Sequence, residues 1–451
     1  MRHGTGGSKV RLAGVVGTVL LAGALIAACS SSSATSGTTT TTAGTTGSSS
    51  SNTASGSVIK IGAISTLTGP ISSDFASFVP GIQAYLKVLD ANGGVNGHPI
   101  QLAYNLDDGG SPTTFTQLAH TLIQQDNAFA VFTSTFWFTP NLFVQANVPT
   151  FGYNVSGNWA PQPNLFAAGG STQDYNYVAP APAYLIHQLK AKSVAVVSYG
   201  PAISSSYNAC SAGAKQLAAG GINVGYTDLA AQLGGDFSAA VQKMQQAGTD
   251  FVMTCMQGSD NITLSRALHQ YGLNVHQLWL NGYDNSLLAQ YGSLMNGVYF
   301  NINGNVPFQA PKTYPGKYPG MANYLASMAK YEPKYQYDDV AIQGWQSADL
   351  LATGIKNTLN AGLPLTQANV INQINKINNY TANGLTTVTN WTTAHDLTQQ
   401  SFPICSAFVK VQGTQFVPAV AAPPQTILCF NKVVDLKNPA LATPQPGTPG
   451  T

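Results

Sequence analysis

A cysteine thiol flanked by small residues is the first group in this chain with assignable chemistry. Cys29 closes the run Ile26-Ala27-Ala28-Cys29, preceded by Arg2, Lys9, Arg11 and an unbroken apolar and small-residue stretch over residues 12–28. A basic start, a short apolar core and small residues before the cut are the parts of an export signal. The small-small-Cys ending narrows this to the type in which the thiol is acylated and Cys29 becomes the new amino terminus. A plain signal peptide, or a membrane span with an incidental cysteine, is the alternative, but the apolar run is shorter than the ~20 residues a span needs. The expectation is a signal peptide over 1–28 and a lipid-anchored protein on the extracytoplasmic face of a cell membrane.

Cys210, Cys255, Cys405 and Cys429 remain, an even number in an oxidising compartment. Four cysteines allow three connectivities. Local pairing, Cys210 with Cys255 and Cys405 with Cys429, fits the elements described below; in the chain-entropy account it contributes about 4 and 3.5 kcal/mol. Buried free thiols are the alternative. Other chemistry is not signalled: there is no G-x-S-x-G elbow, no Walker A loop and no H-E-x-x-H helix. No enzyme, cofactor or metal is expected. With 8% charged residues and a net charge of +2, no basic face is available for nucleic acid.

The elements that must position any site begin after a tether. Residues 29–56 are almost wholly Ser, Thr, Gly and Ala, too polar to bury a core; the tail 437–451 reads as disordered in the same way. Between them, residues 58–65 form a β-branched run, and Phe75, Phe78, Val79, Ile82, Leu86 and Leu89 recur at helical spacing up to Asn92-Gly93-Gly94. Strand 100–106, helix 113–125 and strand 128–133 continue the alternation. A second series follows: strands at 193–198, 223–226, 251–254, 277–280 and 297–301, with helices at 207–219, 237–247 and 261–271 between the earlier ones. Strand, helix, strand implies a parallel sheet. Two such lobes place a ligand cleft at the carboxyl ends of the strands.

Ile59 to Pro70 (IKIGAISTLTGP), Leu89 to Leu102 (LDANGGVNGHPIQL) and Asp107-Asp108 with Pro112 opening a helix carry a family resemblance. So do Asp236-Phe237-Ser238 ahead of a helix and Gly297-Val298-Tyr299 in a late strand. In order and spacing they resemble the type 1 periplasmic binding proteins, specifically the branched-chain amino acid (Leu/Ile/Val) substrate-binding family of ABC transporters. The resemblance implies an α/β fold of two doubly wound parallel-sheet lobes joined by a three-strand hinge. Lobe 1 would span 57–175 and 308–388, and lobe 2 would span 176–307 and 389–436. It places a helix over 338–360 in lobe 1 and a terminal hairpin over 402–416.

The family also implies a ligand set. Its carboxylate clamp falls on the loops Thr133-Ser134-Thr135-Phe136-Trp137-Phe138-Thr139 and Gly152-Tyr153-Asn154-Val155-Ser156. Ser156 matches the family hydroxyl, whereas Phe136 stands where the family usually has serine, leaving Ser134, Thr135 and Thr139 as substitutes. The run Phe136-Trp137-Phe138 reads either as the buried start of a helix or as an apolar ligand wall containing Trp137. Phe75, or Asp74 beside it, matches an aromatic lid position, Tyr207 a cleft tyrosine, and Asn154 lies in the second clamp loop. Asp284 is the candidate acid for a ligand ammonium, with capping of the next helix as its alternative; Asp260 reads as such a cap. The implied function is capture of a small solute, an amino acid or relative, for an ABC transporter permease by a monomer. A surface lipoprotein that senses a ligand without a transporter is the alternative.

Overall fold

The computed structural model describes residues 56–153, 159, 161–167, 178–396, 404–419, 427–430 and 443–444. Cys29 and the tether therefore lie outside the described residues, as do Asn154 and Ser156 and most of the tail.

The first sheet is built from β1 (Ile59–Ser65), β2 (Ile100–Asp107), β3 (Val131–Ser134), β4 (Thr150–Gly152) and β5 (Leu165–Ala167), in the order β2-β1-β3-β4-β5. All its pairings are parallel. β1 and β3 are buried at almost every position because helices cover both faces. Phe78–Ala91 and Ala341–Asn360 pack on one face, around Phe132, Phe151 and Trp345; Pro112–His120 and Asn141–Gln145 pack on the other, around Phe115, Phe138 and Phe143. The expected helix over 113–125 ends its α-helical part at His120 and continues as a π-helical turn, Thr121–Gln125.

The second sheet takes β6 (Val194–Tyr199), β7 (Val224–Ala231), β8 (Phe251–Cys255), β9 (His276–Trp279) and β10 (Tyr299–Asn303) in parallel, ordered β7-β6-β8-β9-β10. β11 (Ile404–Gln412) adds antiparallel to β10, and β12 (Gln415–Ala419), β13 (Leu428–Phe430) and β14 (Thr443–Pro444) complete nine strands. The β11–β12 hairpin turns at Gly413, whose φ of 62° favours glycine. Both disulfides have the local pairing. Cys210 on the helix Ser204–Ala219 joins Cys255 at the end of β8, and Cys405 joins Cys429 across the β11–β13 pair.

The architecture is thus two doubly wound lobes, and the chain crosses between them three times. The crossing after β10 is described: Asn305 pairs with Thr386, Val306 N–H reaches the Leu385 carbonyl, and Gly304 N–H reaches the Cys405 carbonyl. The apolar core is continuous through this hinge, where Tyr283 stacks on Phe308 at 4.6 Å and Phe308 faces Tyr324 at 6.2 Å.

Candidate functional site in the cleft between the lobes

In the first lobe, β1 and β3 deliver four hydroxyl residues side by side, because parallel neighbours in register end together: Ser65 pairs with Ser134, and Thr66 N–H reaches the Ser134 carbonyl. Thr66 Oγ1 donates to Asp108 Oδ1 at 2.8 Å and lies 3.2 Å from Thr135 Oγ1. Thr135 Oγ1 also receives Trp137 N–H at 3.2 Å. Ser65 Oγ, Ser134 Oγ and Asp108 Oδ2 are buried and meet no hydrogen-bonding group among the described residues. The candidate clamp hydroxyls Ser134 and Thr135 thus sit beside a buried carboxylate.

The aromatic run after β3 divides. Phe138 turns into the first-lobe core, 4.4 Å from Trp159, and Trp137 packs against the same cluster. Phe136 turns the other way, onto the second-lobe cluster containing Tyr199, Ile203 and Phe237. The segment is a turn, and the next helix begins at Asn141, so the reading of Phe136 to Phe138 as a helix start is corrected. Phe75, fully buried at the close of the short 3-10 turn Ser72–Asp74, meets Phe136 edge to face at 4.6 Å and lies 6.1 Å from Tyr153. Tyr153, directly after β4, donates its hydroxyl across the cleft to Asn281 Oδ1 at 3.1 Å.

The second lobe answers with the ends of β6, β8 and β9. Tyr199 Oη donates to Asp260 Oδ2 at 2.5 Å, Gly234 N–H reaches Asp260 Oδ1 at 3.1 Å, and Gln257 Nε2 reaches Oδ2 at 3.2 Å. Asp260 therefore does not cap the helix Gly258–Gln270, as sequence reading expected. It lies inside the first turn and anchors Tyr199 and the 234 loop, while Gln257 occupies the cap position. Asp284 does cap its helix, Asn285–Met295, receiving Ser286 N–H at 2.6 Å and Ser286 Oγ at 2.8 Å. Tyr207 lies half-buried in the helix Ser204–Ala219.

The cleft is acidic. Asp74 of the first lobe takes the backbone N–H of Gly258 from the second. It keeps partial access by surface area, yet protein atoms crowd it on every side. That desolvation, opposed by the Gly258 and Ser73 hydrogen bonds and reinforced by Asp260 and Asp338, raises its carboxyl to about 7. Nearer the hinge, Asp338 bridges by backbone to Asp284 and receives Ser77 Oγ at 2.7 Å and Val340 N–H at 2.8 Å. Burial and then Asp284 push the Asp338 carboxyl up. Burial followed by Asp338, Asp284 and Asp74 does the same to Asp339, which holds the Tyr283 N–H. Burial, then Asp339 and Asp74, raises Tyr153, which also bonds the Gln343 side chain. Sequence reading missed Asp338, Asp339, Gln257 and Tyr199; the adjacent acids Asp338-Asp339 were the visible signal in a chain with few carboxylates. A depression of about 140 Å³ lined by Lys190, Asp250 and His276 lies at the amino ends of β6, β8 and β9, the wrong end of the sheet for this site.

Two parallel-sheet lobes meeting strand-end to strand-end over a hinge define the architecture of the solute-binding proteins of type 1. The sequence model of the family described as periplasmic binding protein matches residues 58–414, and this chain belongs to that family. The resemblance to the type 1 periplasmic binding proteins read from the sequence is thereby borne out. A Leu/Ile/Val-binding protein homolog of Brucella melitensis is 26% identical over 239 residues, covering 51% of this chain and 62% of that relative. Among solved structures, the leucine-binding protein LivK of Thermotoga maritima has a TM-score of 0.64 at 17% identity, over 81% of this chain and 99% of that one. LivJ of Streptococcus pneumoniae, in complex with isoleucine, has a TM-score of 0.64 at 18% identity, over 80% and 97%. A fatty acid ABC transporter substrate-binding protein of Thermomonospora curvata reaches the same TM-score at 17% identity, over 84% and 94%.

Proposed function

We propose that this chain is an extracytoplasmic, lipid-anchored solute-binding protein that captures a small molecule by closing its lobes and delivers it to an ABC importer. The observation that carries the reading is the cleft, where Tyr153 meets Asn281 and Asp74 meets Gly258 across the lobes. A ligand bridging such faces binds the closed form better and shifts the equilibrium by that difference. Ser134, Thr135, Phe75, Trp137, Tyr207 and Asp284, with Asn154 and Ser156, are the proposed ligand residues. The lobe limits 57–175 with 308–388 and 176–307 with 389–436 are part of the same reading. It assigns no reaction to the protein; binding of amino acids by the relatives supports amino acids and their relatives as the solutes to try. A thermal-shift screen of amino acids and amines tests capture, because a compound bound only by the folded chain raises its melting temperature. No solute raising it, in any class, would defeat the reading. The anchor is tested separately: Cys29→Ala should move the protein from the membrane fraction to the soluble one, and continued co-sedimentation would rule out acylation.

A further inference from the structure

The expected clamp would hold a ligand carboxylate at Ser134 and Thr135, yet among the described residues buried acceptors without a donor lie on both walls. Asp108 is 1% exposed and its Oδ2 meets no donor; it lies beside Thr66 and, through it, Thr135. A second carboxylate brought here would face a like charge in a medium that screens poorly. On the opposite wall Gln257 is 4% exposed, its amide nitrogen is committed to Asp260, and its Oε1 meets no donor. The next residue, Gly258, gives its N–H to Asp74. Asp339 joins the same neighbourhood from the first lobe, acting on both Asp74 and Tyr153. The nearby rings are Phe75, Phe136 and Tyr153, whose faces attract cations. Lys334, exposed beside Asp284, is a cation acting from the outer side.

We infer that the group bridging the lobes is cationic, an ammonium or amidinium-type head seated between Asp74, Asp339 and Gln257 with Phe75, Phe136 and Tyr153 as walls, so that the solute is a cationic amine. This rests on the solute-capture reading and names its substrate class. Such a head supplies the donor that Gln257 Oε1 lacks and adds hydrogen bonds to Asp74 and Asp339 beside those they take from Gly258 and Tyr283, and charge-assisted hydrogen bonds are the strong ones. It also supplies positive charge where lobe closure brings like charges together. Asp74 is faced by Asp260 from the helix Gly258–Gln270, by Asp338 and Asp339 from the loop before Ala341–Asn360, and by the hydroxyls of Tyr153 and Tyr199. Since its carboxyl titrates near 7, cation affinity should rise as pH passes from 6 to 8.

The test is calorimetry on the purified full-length protein with putrescine, agmatine and choline as cationic probes, leucine as zwitterion and isovalerate as anion. At least one cation should bind, tighten between pH 6 and pH 8, and weaken by about ten-fold to a hundred-fold in Asp74→Asn and Asp339→Asn. Asp74→Glu, which keeps the charge, should retain most of the binding, and Asp228→Asn, at a half-buried position on the edge strand β7, should bind as the parent does. Melting of each empty variant shows that it is folded; if Asp74→Asn is not, Gln257→Leu, which removes the orphan acceptor, takes its place with the same expectation. Leucine or isovalerate binding with no response to these variants, while the cations do not bind, would overturn the cationic site and leave solute capture standing. Cation binding unaffected by any of the variants would overturn the placement.

Discussion

Asp284 carries two competing roles, and its hydrogen bonds separate them. Its carboxylate is committed to Ser286 N–H and Oγ at the start of Asn285–Met295, an arrangement worth about 1 kcal/mol when replaced by alanine. Asn caps nearly as well. Asp284→Ala should therefore lower stability by about that amount in urea unfolding, with Asp284→Asn close to parent; a loss of binding in Asp284→Asn without loss of stability is what the ligand role adds. His395 is a second case decided by surroundings. It lies 5.6 Å from Phe166 and 5.8 Å from Trp391, neither ring nitrogen has a partner among the described residues, and burial pushes it down to about 4. Because the folded state keeps this ring neutral while the unfolded chain protonates near 6.5, its contribution to stability is lost as pH falls from about 6.5 to about 4. His395→Phe should flatten that part of the stability-pH curve. Asp74 has the opposite sign: an acid raised in the folded state costs stability as pH rises from about 4 towards 7.

At the scale of elements, one helix crossing fixes the first lobe. A Cβ on Gly81 would fall on the Ala341 carbonyl, and one on Gly344 on the Phe78 carbonyl, so the helices Phe78–Ala91 and Ala341–Asn360 touch backbone to backbone. The sequence pattern Ala341, Trp345, Ala348, Leu351 and Ile355 marks one apolar stripe of the later helix, but Gly344, Ser347 and Leu350 are buried as well. Gly344 is covered by Phe78–Ala91, and a third helix, Gln367–Ile374, packs farther along through Val370 and Ile374 near Gly354. Gly344→Ala should destabilise by about 1 to 3 kcal/mol or more, the cost of overpacking without room to relax, read as a lower urea midpoint at unchanged slope. Since Asp338 and Asp339 stand at the start of this helix, the same change should disturb the cleft.

For the whole molecule, the decisive quantity is the balance between open and closed lobes. The Tyr153 hydroxyl on Asn281 is one of the cross-cleft hydrogen bonds, with a net worth of about 0.5 to 1.5 kcal/mol. Tyr153→Phe should shift the empty protein towards open forms by about two-fold to ten-fold, visible as a larger radius of gyration in small-angle scattering, with little change in unfolding free energy of either lobe. No helix among the described residues is long and apolar enough to cross a membrane.

The sequence by itself determined the alternation of strand and helix and the family, since each rests on short-range spacing: period-2 and period-3.6 patterns and turn glycines; it favoured the local cysteine pairing, which the structure decided. It also placed the hydroxyls of Ser134 and Thr135 at a strand end. Only the tertiary structure decided what surrounds them. Whether Phe136 or Phe138 faces the cleft depends on one turn of backbone after β3. The neighbours of Asp74 come from residues 258–260 and 338–339, far away in sequence, and a carboxylate's charge state is set by whichever groups the fold brings within a few ångströms. Local pattern fixes elements, whereas the electrostatics of a cleft between two lobes exist only after both have folded and met.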